Sequence, residues 1–162
     1  MKRAVLVLLM VLVAAVAFAE THTITLVSRV EKVDAKYAIR NAETGKVGAT
    51  VVYSTDEIAD ANVRTSFDII QSNDSNAFGS VLLQVSATEL TARVDGKTYS
   101  TDGVSIEMGG VQYGSSVSFV RYTAGATAAG TVVGSFDVEW PTNSELVSTT
   151  YQASVTLTAT AI

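Results

Sequence analysis

The chain has no cysteine, one proline, one histidine and one tryptophan in 162 residues. Without cysteine there is no disulfide framework, no thiolate metal site, no cysteine nucleophile and no lipid-modified N-terminal thiol. A lone histidine, His22, excludes the usual His-rich metal and catalytic clusters. With Pro141 as its one proline, the chain has long stretches free to enter β-ladders that proline would interrupt. Charged residues make up only 17%, and basic ones are outnumbered, 11 Lys+Arg against 16 Asp+Glu. No basic patch is present, so nucleic acid is not an expected partner and an anionic membrane surface would repel the chain. What the chain does have is a hydrophobic fraction of 48%, too high for disorder, at a length that suits one domain.

The one long apolar run is N-terminal. Lys2 and Arg3 precede Ala4–Val16, thirteen apolar residues, and Ala17-Phe18-Ala19 is a small-x-small cleavage site. That order of parts reads as a secretory signal over residues 1–19, with residues 20–162 as a single mature domain. The run is shorter than the roughly 20 apolar residues of a membrane span, so no transmembrane helix is expected after cleavage. Loss of Lys2 and Arg3 leaves 9 basic against 16 acidic side chains, a net charge of −7. The expected location is outside the cytoplasm of a bacterium: periplasm, cell surface or fimbrium.

The mature region reads as β almost throughout. Valine, threonine and serine are abundant, and period-2 alternation recurs. Strands are expected at Thr23–Val30, with a continuation at Tyr37–Arg40, then at Gly48–Ser54, Val63–Ile70 and Ser80–Ser86. Leu90–Val94 and Lys97–Ser100 flank Asp95-Gly96, a strong type I′ turn signal. Val104–Met108, Ser116–Tyr122, Val132–Trp140 and Tyr151 to the C-terminal end complete the set. Ser54 and Glu57 have capping-box spacing for one helical turn at Thr55–Ala61. Eight to ten short strands with regular turns predict an all-β fold, an antiparallel β-sandwich with Ig-like Greek-key connections.

Candidate chemistry is sparse, and each candidate has a bland reading beside it. His22 lies in a polar segment where a lone imidazole is simply solvated. Asp56, Glu57 and Asp60 offer oxygen ligands for calcium, but acids at a helix start explain Asp56 and Glu57 as well. Asn73-Asp74-Ser75 fits the N-x-S pattern within a polar turn. Asp137 and Glu139 share one strand face about 6–7 Å apart, but the only tryptophan is on the opposite face and alternating acids are ordinarily a solvated side. Tyr99, Tyr113, Phe119 and Tyr122 suit either a sugar-stacking patch or core and cross-strand packing. No enzyme chemistry, cofactor or metal is expected.

The two end segments carry more information. Residues 21–30 (THTITLVSRV) alternate, and Tyr151 onward (YQASVTLTATAI) alternates without a break. Neither carries a proline or lysine that would guard an edge against strand addition. With the signal region and the Val/Thr/Ser/Gly-rich body, these segments resemble subunits of chaperone–usher fimbriae, the pilins that lack a disulfide. The resemblance implies donor-strand complementation, in which an N-terminal segment completes a neighbouring subunit's sandwich. It makes Ile24, Leu26 and Val30 donor residues and Val155, Leu157 and Ala159 the acceptor edge. It implies self-association and a periplasmic chaperone as partners. The chain departs from the commoner pilins in lacking the cysteine pair and a penultimate tyrosine, and Ser28 interrupts the donor face. The alternative is a self-contained periplasmic or surface sandwich, with both end strands paired internally, that binds a glycan or a protein.

Overall fold

The computed structural model describes residues 28–31, 36–48, 50–53, 62–76 and 78–162. The signal region, His22, Ile24, Leu26 and the expected helical turn with Asp56, Glu57 and Asp60 lie outside them. Among the described residues there are twelve strands and no helix. They are β1 (Ser28–Glu31), β2 (Tyr37–Asn41), β3 (Thr50–Tyr53), β4 (Val63–Gln71), β5 (Phe78–Ala87), β6 (Thr91–Val94), β7 (Lys97–Ser100), β8 (Ser105–Met108), β9 (Val111–Tyr113), β10 (Ser116–Ala124), β11 (Val132–Trp140) and β12 (Tyr151–Ala161).

The strands form two sheets that pack face to face as an all-β sandwich. One runs β10-β5-β12-β6-β7, with β1 and β3 also on β12; the other runs β2-β4-β11-β8-β9. Every pairing is antiparallel except β1 with β12. Tyr37–Asn41 therefore does not prolong the first strand. It crosses to the second sheet and pairs with β4, where Tyr37 and Ile39 enter the core.

Alternation builds that core. Phe136, Val138 and Trp140 of β11 point inward from one sheet, and Tyr151, Ala153, Val155, Leu157 and Ala159 of β12 from the other. Val63, Thr65, Phe67, Ile69 and Gln71 share the inward phase of β4. Phe67 and Phe136 are register partners, and their rings stack with centroids 5.4 Å apart. Tyr53 meets Trp140 edge-on at 6.1 Å, bringing β3 against β11. Such aromatic pairs add about 0.5–1.5 kcal/mol beyond the area they bury.

The Asp95-Gly96 turn forms as its sequence predicts, with φ of +49° and +80°, and joins β6 to β7. Gly109 and Gly110, at +62° and +78°, close a second tight hairpin. Its far strand, β9, is one that the sequence pattern does not predict. The three residues of β9 are all exposed, so no buried alternation marks them.

Candidate functional site

The candidate site is the long edge of β12 that faces away from β5. Two hydrogen bonds bracket the β5–β12 ladder: Thr88 N–H to the Ser154 carbonyl at 2.9 Å and Ile162 N–H to the Ser80 carbonyl at 3.1 Å. Backbone groups alternate sides along an antiparallel strand. The even-numbered residues of β12 therefore aim their N–H and C=O groups at β5. Val155, Leu157 and Ala159 aim theirs at the opposite edge, while their side chains are buried in the core. Val155, Leu157 and Ala159 thus combine core side chains with backbone groups that face away from β5.

Two short strands share this edge. β3 covers Tyr151–Ser154 antiparallel. β1 covers the next stretch in parallel: Ser28 opposite Leu157, Arg29 opposite Thr158, Val30 opposite Ala159 and Glu31 opposite Thr160. Val30, the one expected donor residue that is described, thus lies in register with an expected acceptor residue of its own chain. Among the described residues β12 is the only strand that β1 pairs with. Parallel pairing is also slightly weaker per residue than antiparallel pairing.

The described ion pairs lie elsewhere, on the outer face of the β2-β4-β11-β8-β9 sheet. Arg40 pairs with Asp68 at 2.6 Å, and Ser135 donates to the other Asp68 oxygen at 2.9 Å. The Arg40 hydrogen bond holds the Asp68 carboxyl below the ordinary carboxylate value. Arg64 bridges Asp137 at 2.6 Å and Glu107 at 2.9 Å. Burial pushes the Asp137 carboxyl up, but hydrogen bonds from Ser66 and Arg64 outweigh it and hold the group down. Glu139 accepts from Asn62 Nδ2 at 2.8 Å. Asp137 and Glu139 therefore each have their own partner, and an Asp137 held ionised is poorly suited to give a proton at neutral pH. Sequence alone did not reveal Arg64 as the hub, because Arg64, Glu107 and Asp137 come from three different strands.

The four aromatic residues weighed as a sugar platform are not brought together. Phe119 and Tyr122 lie on opposite faces of β10: Phe119 packs against the core and Tyr122 is exposed. Tyr113 is on the other sheet, and Tyr99 packs at the core margin with the Lys97 ammonium 4.8 Å from its ring centre.

Asn73-Asp74-Ser75 belongs to a two-loop clamp. Ser75 and Thr127 exchange backbone hydrogen bonds at 2.9 and 2.7 Å, and Asp74 accepts from Ala129 N–H at 2.8 Å. Beneath them the fully buried Gln71 donates through Nε2 to the Asn73 and Thr127 carbonyls, at 2.9 and 3.2 Å. A cleft of about 410 Å³ lies between Asp74–Asn76 and Ala126–Ala128. By sequence Gln71 opens a polar loop after a strand ending at Ile70; the strand instead runs one residue further, and its inward phase buries Gln71.

Among the described residues no three His, Cys, Asp or Glu side chains gather to hold a metal ion. No helix among them is long and apolar enough to cross a membrane. Comparison with known protein families, with curated proteins and with solved structures finds no match.

Proposed function

We propose that the chain is a non-enzymatic exported structural and adhesion protein, a pilin-like fimbrial subunit that assembles by donor-strand complementation. The observation that carries this reading is the β1–β12 pairing. A four-residue N-terminal strand attaches to the sandwich by one edge only, over backbone groups of Leu157 and Ala159 that any extended strand of suitable register would satisfy. An equivalent segment from a second copy fits the same edge, and a periplasmic chaperone would guard that edge before assembly. Export rests on the signal-like residues 1–19.

A second reading is favoured by the same pairing taken as it stands. β1 lies on its own chain, which suits a self-contained periplasmic or surface sandwich that binds a glycan or protein partner.

The test is an immunoblot of native cell-surface protein, run in SDS with and without boiling, for the parent chain and for a deletion of residues 20–30. A fibre subunit gives a ladder of subunit multiples that collapses on boiling. The deletion abolishes the ladder and leaves the sandwich folded. A single monomer band in both lanes, with unfolding on deletion, overturns the fibre reading in favour of the self-contained domain.

A further inference from the structure

We propose that β10 is a second assembly surface, at which two copies of this chain pair edge to edge and antiparallel about a two-fold axis through Val120. The inference does not depend on strand donation, because it uses the edge of the same sheet that lies beyond β5 from β12.

Sheet edges are ordinarily guarded by shortness, charge, proline or a covering loop. The described edges follow that rule with one exception. β1, β3 and β7 have four residues each and β9 has three. β1 carries Arg29 and Glu31, and β7 opens on Lys97. β2 is covered by its own return loop: Asn41 N–H donates to the Lys46 carbonyl, Gly48 N–H donates to the Ile39 carbonyl, and Arg40 bridges Val47. β10 has nine residues, no proline and, among the described residues, a strand partner on one side only.

Register decides which groups it offers. Ser75 and Thr127 exchange both backbone hydrogen bonds, and Ala87 N–H donates to the Ser115 carbonyl. The β5–β10 ladder keeps the same residue sum, so its hydrogen-bonded pairs fall at Val117, Phe119, Arg121 and Thr123. The N–H and C=O groups of Ser118, Val120 and Tyr122 therefore point out of the sheet edge. The side chains of these residues are on the solvent face, with Val120 58% and Tyr122 67% exposed.

These residues are self-complementary. With Val120 on the axis, Val120 pairs with itself and Ser118 pairs with Tyr122 of the second copy, in both directions. The three pairs supply about six hydrogen bonds at two per pair. Each Tyr122 ring lies over a serine, beside the central valines. Charge favours a like partner here. The chain is acidic overall, with a net charge of −5, so most of its surface repels a second copy. Ser116, Ser118, Val120, Tyr122 and Ala124 are all neutral. The one charge on the strand, Arg121, lies on the inner phase, with Nη1 3.5 Å from the Val133 carbonyl.

Cysteine scanning tests the arrangement, because the chain has no native cysteine. Across a hydrogen-bonded antiparallel pair the Cα atoms are about 5.5 Å apart, within disulfide range. The exported protein carrying Val120→Cys, mildly oxidised, is expected to give a covalent dimer that stops at two chains. Ser118→Cys, opposite Tyr122 rather than itself, and Gln112→Cys on β9 are expected to stay uncrosslinked. Val120→Lys is expected to weaken association at least tenfold by sedimentation, with Trp140 fluorescence unchanged as a check on folding. Equal crosslinking of Val120→Cys and Gln112→Cys overturns the interface, as does an unchanged mass for Val120→Lys. Crosslinking of Ser118→Cys as efficient as that of Val120→Cys overturns the register. A polymer ladder that survives Val120→Lys separates strand donation from this contact.

Discussion

The Trp140 indole N–H donates to the Thr88 carbonyl at 2.8 Å, tying β11 of one sheet to the link between β5 and β6 of the other. Thr88 in turn binds β12, through its N–H to the Ser154 carbonyl and its hydroxyl to the Ser154 N–H, both at 2.9 Å. One buried ring thus joins the middle of one sheet to the strand that carries the candidate site. Trp140→Phe keeps most of the apolar packing but leaves the Thr88 carbonyl without its indole donor. The expected loss is about 1–3 kcal/mol. Trp140→Ala adds a cavity and is expected to cost about 3–5 kcal/mol. Urea unfolding followed by far-UV circular dichroism measures both. Equal losses for the two variants would show that the hydrogen bond, rather than the ring, sets the stability here.

The acid dependence of stability follows from Asp68 and Asp137. Both carboxyls are held below the ordinary value of 3.8 in the folded chain. A group with a depressed folded pKa contributes stability that is complete above its unfolded pKa and lost as pH falls through the folded one. The urea midpoint is therefore expected to be flat from pH 7 to about 5 and to fall below about pH 4. Asp68→Asn is expected to lower stability at pH 7 and to flatten the acid limb. An acid limb as steep in Asp68→Asn as in the parent would remove Asp68 from this account. The pair is partly solvent-screened, so the effect at neutral pH is small.

Gln71 separates local from global stability. Its Nε2 holds two loop carbonyls, while its buried Oε1 has no hydrogen-bond partner within the protein. Gln71→Met loses the donors but also relieves an unmatched buried acceptor, and these effects nearly cancel. Global stability is expected to change by less than about 1 kcal/mol. Amide exchange at Ser75 and Thr127 is expected to quicken as the clamp loosens. A large global loss with unchanged local exchange would instead make Gln71 part of the cooperative core.

Much of this architecture was legible in residue order. The alternation of Val132–Trp140 and of Tyr151 onward specified which side chains are buried, because a strand must send successive side chains to opposite faces. Asp95-Gly96 specified its hairpin, because few residues accept positive φ at both turn positions. These are local consequences of chain stereochemistry.

Only the tertiary structure decided what meets across strands. Tyr37–Asn41 reads like a continuation of the first strand, yet it belongs to the other sheet, since a period of two fixes a strand's faces but not its neighbours. The Arg64–Asp137–Glu107 cluster and the Trp140–Thr88 bond join residues far apart in sequence, which no local pattern announces. Both edges that matter here have the same origin. Sequence marked β12 as an alternating strand without proline or lysine, whereas pairing decided which side of the β10 and β12 backbones faces away from β5. That follows because hydrogen bonds to β5 consume one set of N–H and C=O groups on each strand, and only the remaining set can meet another chain.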